Sequence, residues 1–302
     1  MLSSPGRTVA EFSNRRETSG GYRDVFPSVH FKYDLGRGFQ ARASFSTGIG
    51  RPNFADIMPT TTVDHTTMIV TSNNINLKPQ YSNNFDGSLE YYFEPAGMLS
   101  AGVFLKELRE FIYSDSAGLI GSSAGIDFEG LYEGYELRSN FNGGSARVRG
   151  MEFAYQQQFS MLPGFWKGFG AFPNYTYVES EGNYGAAGTV QTGGDLENFT
   201  PRTYNAGISY IARGATVRVK YTQRFPTLNF YSAVETGKRY VGTVKTVDLN
   251  LKYDWRPGLN VFVDVINLFD APTSDWYIYT PSRFFRSEQF TTAMKIGVSG
   301  RF

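Results

Sequence analysis

Few of the side chains that usually carry chemistry are present. The chain has two histidines and no cysteine. A thiol nucleophile, a disulfide framework and a zinc–thiolate centre are therefore excluded. His30 lies between Val29 and Phe31 and shares the polar side of its segment with Ser28 and Lys32. A hydrolase would also need a group to orient the base and an oxyanion pocket, and nothing near His30 marks either, so no enzyme is expected. His65 follows Asp64 but belongs to no HxxxH pair and no dense carboxylate cluster. No metal site and no cofactor are expected.

The charged residues are more informative because of their spacing. Arg42, Arg218, Lys220, Asp248, Lys252, Asp264 and Lys295 all fall on the polar side of segments in which apolar and polar residues alternate. They are candidates to line a solute path. The competing reading is a ladder of opposite charges satisfied between neighbouring strands. A second group is aromatic: the stretch Asp270 to Arg286 holds Trp276, Tyr277, Tyr279, Phe284 and Phe285, and the loop before it holds Phe230, Tyr231 and Tyr240. Flat rings beside polar groups suit stacking on a ligand such as a sugar, which makes Trp276, Tyr277 and Tyr279 candidate binding residues. The alternative is an interfacial girdle, where Tyr and Trp collect at headgroup level.

Period two organises almost the whole chain, and residues two apart share a face only in a strand. Phe39, Ala41, Ala43 and Phe45 oppose Gln40, Arg42, Ser44 and Ser46. Val217, Val219 and Tyr221 oppose Arg218, Lys220 and Thr222, and Val247, Leu249, Leu251 and Tyr253 oppose Asp248, Asn250 and Lys252. Similar runs at Val29–Leu35, Phe85–Phe93, Leu99–Leu105, Met151–Phe159, Phe169–Tyr177, Tyr204–Tyr210, Leu259–Val265 and Phe290–Phe302 bring the expectation to eleven strands, with Arg7–Glu17 a further candidate. Short turns with glycine or proline at 34–38, 94–97, 212–214 and 254–258 alternate with long loops at 50–80, 115–130, 180–200, 226–239 and 270–286. The parity holds if Tyr135–Phe159 is one long strand with a bulge at Asn142-Gly143-Gly144.

Such a pattern predicts an all-β, antiparallel, up-and-down transmembrane barrel segment of about 11–12 strands, in one domain over residues 1–302. The bland alternative is a soluble β-sheet protein that binds sugar. Charges at mid-bilayer cost about 2–4 kcal/mol, so the polar faces must look into a wet lumen. Balanced charge, 29 basic against 28 acidic residues, argues against nucleic acid as a partner. No apolar stretch approaches the roughly 20 residues of a spanning helix, and residues 1–24 lack the apolar core of a secretory signal.

The motifs Gly50-Arg-Pro-Asn-Phe-Ala-Asp-Ile-Met-Pro59, Asn76-Leu-Lys-Pro79, Ser88–Phe93, Leu99–Phe104 with Lys106, Gly150–Phe153, Asn174–Tyr177 and Asn267-Leu-Phe-Asp270 follow one another along the chain. Together they resemble one family, the carboxy-terminal barrel of TonB-dependent outer-membrane receptors. The end of the chain resembles the signal read by the barrel-assembly machinery, through Lys295, Gly297 and the terminal Phe302, although Gly300 stands where that signal usually has a hydrophobic residue. The resemblance implies a bacterial outer-membrane location, contact with outer-membrane lipid, and uptake of a bulky small-molecule nutrient such as an oligosaccharide or iron chelate. A passive pore or barrel scaffold is the runner-up.

A complete member resembles a signal peptide, a coupling box, a plug and a cylinder of roughly twenty-two strands. Only the last finds a counterpart here, over about half its strands. The expectation is thus a fragment that forms an incomplete, half-shell barrel. Its TonB complex would engage only where plug and coupling box are present.

Overall fold

A computed structural model describes residues 21–121, 128, 130–186, 189–231, 235–272, 274–289 and 291–300. The candidate strand at Arg7–Glu17, and Phe290 and Phe302, lie outside these residues.

The chain runs up and down in hairpins. β1 (Ser28–Gly36) turns into β2 (Phe39–Gly50), and a helical turn α1 (Phe54–Ile57) with β3 (Thr61–Asp64) and β4 (Ile69–Ser72) precedes β5 (Gln80–Phe93) and β6 (Gly97–Arg109). β7 (Ile112–Leu119) prolongs β6, and β8 (Glu136–Asn142) leads into β9 (Ser145–Gln158). There follow β10 (Phe169–Ala171), β11 (Asn174–Ala186), β12 (Thr189–Gly194), β13 (Arg202–Ala212), β14 (Ala215–Arg224), β15 (Thr227–Phe230) and β16 (Arg239–Val241). The chain closes with β17 (Val244–Arg256), β18 (Leu259–Ile266), β19 (Ser274–Ile278), β20 (Phe284–Glu288) and β21 (Ala293–Gly300).

One large antiparallel sheet forms a wall in the order β1-β2-β5-β6-β9-β10-β13-β14-β17-β18-β21, with β11 continuing β10 and β12 beyond it. Eleven wall positions result among the described residues, as the alternation predicts. β10 and β11 share one position because Phe172-Pro173 interrupts the strand without moving it. Phe169 pairs with Tyr210 and Asn174 with Asn205 on one line of register. Proline has no N–H for the ladder, yet its carbonyl accepts the Tyr155 N–H at 3.0 Å.

The short turns gather at one end. Arg213-Gly214 has φ of +49° and +79°, the left-handed pair that a two-residue type I′ hairpin needs, with Ala212 facing Ala215. At the other end the connection at 180–200 prolongs the wall as the β11–β12 hairpin, and the remaining long connections contribute strands to two further sheets. β3-β4-β8-β7 forms one, with β4 parallel to β8, and β15-β16-β19-β20 forms the other.

The expected bulge at Asn142–Gly144 is corrected. Arg109 faces Ser145 and Ile112 faces Asn142, so equal lengths are skipped on both strands and no residue is inserted. Both strands bend together as the wall hands over to the outer sheet, with Glu110 at φ +56° and its N–H donating to the Gly144 carbonyl. Among the described residues the last strand begins at Ala293, after Thr291 and Thr292, which the expected run includes.

On the polar side of the wall, three phenylalanines lie over the glycine directly across the ladder: Phe104 over Gly150, Phe172 over Gly207 and Phe262 over Gly297. A ring can lie flat there only because glycine presents no side chain. A methyl group at Gly297 would sit 2.7 Å from Phe262 Cε1. Gly297→Ala is therefore expected to cost about 1–3 kcal/mol, the range for forcing carbon into filled space. A urea titration in detergent reads it, and Phe262→Leu in the same protein should recover most of the loss. Unchanged stability of Gly297→Ala alone would contradict the seating of the ring.

Candidate functional site

Register decides which side chains share a face, since directly opposed residues point the same way. One row reads Phe31, Ala43, Gly87, Val103, Met151, Tyr177, and another Ile208, Val219, Leu249, Val265, Met294. This apolar face continues from β1 to β21 and is exposed: Phe31, Val103, Ile208, Met294 and Ile296 all keep more than half their surface. It is far larger than the few hundred Å² a water-soluble monomer tolerates. Towards the long connections it ends in a charged fringe, where Arg149 pairs with Glu179 at 2.8 Å and Arg147 with Glu107 at 3.6 Å.

All seven predicted charged residues lie on the opposite face. Arg218, Asn250, Asp264 and Lys295 form one row, Lys220 faces Asp248 in the next, and Lys252 lies one row beyond towards the short turns. Asn250 Nδ2 donates to the Asp264 carboxylate, and Lys252 Nζ pairs with Asp254 at 2.9 Å. Arg42 stands far from this group, at the other edge of the wall, where it faces Lys32 and pairs with Glu90 at 3.0 Å. Two of the seven are thus held in ion pairs, Arg42 across the ladder and Lys252 along its own strand. Asp248 has a further structural task, because its Oδ1 accepts the Asn267 N–H at 3.0 Å.

Neither histidine builds a catalytic array. His30 faces Ser44, whose hydroxyl donates to Asp86 at 3.4 Å, so the carboxylate and not the imidazole receives its hydrogen bond. His65 Nδ1 lies 3.2 Å from the Tyr135 hydroxyl. Among the described residues no three His, Asp or Glu side chains gather to hold a metal.

The aromatic candidates are corrected in kind. Trp276 and Tyr277 are strand residues of β19, facing Val241 and Tyr240 of β16, and Tyr279 sits just past its end at φ +62°. The rings stack within the sheet: Tyr240 and Tyr277 lie 5.4 Å apart at 15°, the Arg286 guanidinium is 4.9 Å from the Trp276 ring, and Arg239 lies 5.1 Å from both Phe230 and Phe285. Burial pushes the Tyr277 hydroxyl pKa up. The Trp276 indole N–H is buried without a hydrogen-bond partner among the described residues. Tyr279, Phe284 and Phe285 remain exposed.

Sequence reasoning missed an apolar cluster on the polar face at its outer end. Phe111, Tyr113, Ala146, Val148 and Leu196 are its buried members, with Phe104, Val178 and Tyr231 packed against them. The lone leucine of Asp195-Leu196-Glu197 was the only signal in that stretch. Leu196 folds the connection between β12 and β13 inward, and Glu197 next to it accepts the Tyr231 N–H at 2.6 Å. Burial pushes the Glu197 carboxyl pKa above the usual range.

An acid favoured in its neutral form by folding leaves stability intact below its ordinary pKa of about 4.3 and removes it as pH rises towards the raised folded value. Hydrogen exchange at 196–200, corrected for intrinsic rate, is expected to speed up over that window, and Glu197→Gln should flatten the response. Coincident profiles for the two proteins would contradict it.

Among the described residues no helix is long and apolar enough to cross a membrane, which says nothing of strands. The family model described as "TonB dependent receptor-like, beta-barrel" matches residues 4–268. Among solved structures, the siderophore receptor PirA from Acinetobacter baumannii aligns at TM-score 0.61 and 16% identity, over 92% of this chain and 41% of its own. The ferric enterobactin receptor PfeA of Pseudomonas aeruginosa, as its Q482A mutant with enterobactin, gives 0.61 and 15%, over 91% and 40%. The copper transporter OprC gives 0.60 and 15%, over 91% and 39%. These likenesses show a shared fold, and the chain spans about two fifths of each neighbour's length. No curated protein sequence matches the chain. The open eleven-position wall, its two chemically opposite faces and the match over residues 4–268 together establish that the chain belongs to the TonB-dependent receptor β-barrel family.

Proposed function

We propose that this chain is part of the wall of an outer-membrane receptor that takes up a bulky nutrient, an iron chelate or an oligosaccharide, and catalyses no reaction. The observation that carries the reading is the continuous exposed apolar face backed by a charged one, an arrangement suited to lipid outside and water inside. Along β6 the apolar side runs from Gly97 to Leu105 before Glu107 begins the charged fringe, close to the roughly 9–11 residues a tilted strand needs to cross a bilayer.

Arg218, Lys220, Asp248, Lys252, Asp264 and Lys295, with Arg42 on the far side, line the hydrated path in this reading. Trp276, Tyr277 and Tyr279 belong to the outer sheet that meets the nutrient first. Rings interleaved with Arg239 and Arg286 suit an anionic or flat-faced solute. The buried indole N–H of Trp276 is a donor a ligand oxygen would satisfy.

Strand directions support membership of a larger cylinder. β1 and β21 end the sheet order, and both run towards the short turns. Antiparallel closure therefore needs an odd number of further strands between them. Lys295 and Gly297 lie on β21, whose outer side is free among the described residues for strand addition by the barrel-assembly machinery. Coupling to TonB would act through a plug carried by the complete receptor.

The test is binding in detergent, read by tryptophan fluorescence with a ferric catecholate and a linear oligosaccharide as probes. Saturable quenching by one of them, weakened about tenfold or more by Arg286→Ala, is expected if loss of a desolvated cation–ring contact and its ligand pairing costs roughly 1.5–2 kcal/mol. No saturable binding of either probe, with unhindered solute flux in a liposome-swelling assay, would favour a passive pore instead.

A further inference from the structure

We propose that the connection between β9 and β10 is a lipid anchor that docks in the headgroup region of the phospholipid leaflet on the short-turn side. The inference rests on the membrane reading of the apolar face but does not follow from it. The other connections at this end are tight turns that carry little beyond glycine, proline and charge. This one spans residues 159–168, is wound into a 3-10 turn at Gly164–Gly168, and exposes Met161 (53%), Leu162 (41%), Phe165 (60%) and Trp166 (59%).

The connection is held in shape. The Phe159 N–H donates to the Phe169 carbonyl at 2.8 Å, the Leu162 N–H to the Phe159 carbonyl at 2.9 Å, and Gln158 Nε2 to the Lys167 carbonyl at 3.2 Å. Large apolar groups fixed on a protruding turn lack a partner in water. Continuity with the wall says what covers them. Phe165 lies 5.3 Å from Phe169 and 4.8 Å from Tyr210, and Trp166 lies 5.7 Å from Phe169, so the exposed rings extend the apolar face.

Charge complementarity points to the same occupant. Gly168, the last residue of that 3-10 turn, lies against Tyr210 and the Ile211 carbonyl, next to the Arg213-Gly214 turn, and the β14–β17 register places Trp255 level with Arg213. Trp255 is 60% exposed, with the Arg256 guanidinium 5.5 Å over its ring. Lys167 is the chain neighbour of Trp166, and Arg213 and Arg256 flank Trp255, so three cations accompany the two tryptophans at the short-turn end. Rings among acyl chains and cations at phosphate depth fit a phospholipid interface.

The test uses Trp166 as the sole tryptophan, in a Trp255→Phe, Trp276→Phe protein reconstituted in phosphatidylethanolamine–phosphatidylglycerol vesicles. Emission should shift to the blue on insertion, and lipid brominated just below the headgroup should quench severalfold more than lipid brominated at the chain end. Lys167→Glu should weaken that quenching most in vesicles rich in phosphatidylglycerol. Red emission quenched by aqueous iodide overturns the anchor in favour of water, and blue emission that bromines at neither depth quench overturns it in favour of a covering protein. A companion protein whose sole tryptophan is Leu249→Trp separates the two claims. If its residue is quenched by deep bromines while Trp166 is not, the wall spans the bilayer and the anchor alone fails. If neither is quenched, the membrane reading fails with it.

Discussion

An arginine in place of Leu249 is expected to destabilise the membrane-inserted protein by about 2–4 kcal/mol, the cost of a cation on the lipid side near the bilayer midplane. Leu249 sits in the row Ile208, Val219, Leu249, Val265, Met294, with apolar neighbours on both sides. Thr246→Arg, three residues earlier on the same strand but on the polar face opposite Thr222, should change stability by no more than about 0.5 kcal/mol. The two proteins carry the same charge and differ only in where it points. Equilibrium folding into phosphatidylcholine vesicles measures both. Equal costs would mean that the two faces meet the same solvent.

Replacing Asn267 with alanine is expected to cost about 2–4 kcal/mol, concentrated in the connection it anchors. Asn267 is 3% exposed at φ +54°. Its side chain donates to the Ala271 carbonyl at 2.8 Å and accepts from the Ala271 N–H at 3.0 Å, while its carbonyl accepts from Thr292 Oγ1 at 2.8 Å. Two hydrogen bonds are worth about 0.5–1.5 kcal/mol each, orphaned buried groups cost more, and a left-handed alanine adds about 1–2.

Asn267→Gly separates these causes, since glycine keeps the backbone freedom and loses only the side-chain bonds. The order of stability should be parent, then glycine, then alanine, with accelerated hydrogen exchange at 268–271 and 291–292. Exchange confined to Asn267 itself would show that it does not hold the connection.

Wall positions were legible because half-buried strands write their two faces directly into sequence at period two, as in Val217 to Tyr221 and Val247 to Tyr253. The turns were legible too, because Arg213-Gly214 needs left-handed residues that few sequences supply. In Asn267-Leu-Phe-Asp270 the asparagine side chain caps the Ala271 backbone, a role that residue type suits. The outer sheets were not legible. Their strands, such as β3, β15 and β16, are three or four residues long, too short for a period to show against loop composition. Their pairings join distant parts of the chain, as when β4 lies parallel to β8.

The candidate charges were placed on the correct face, yet nothing local told that Asp248 would hold the Asn267 N–H or that Arg42 would stand apart from the other six. Those facts depend on strand order and register. The Phe–Gly pairs escaped notice for the same reason: each joins residues on different strands, and only pairing brings the ring over its glycine.

Because the chain contains no cysteine, single cysteines can be placed one at a time along Val244–Arg256, spin-labelled, and reconstituted in lipid vesicles. Accessibility to oxygen, which concentrates among acyl chains, and to a water-soluble nickel chelate is then measured at each position. Oxygen should peak at 247, 249, 251 and 253 and the chelate at 246, 248, 250 and 252, in strict alternation. Equal access of the chelate to both sets would contradict a wall with lipid on one side and water on the other.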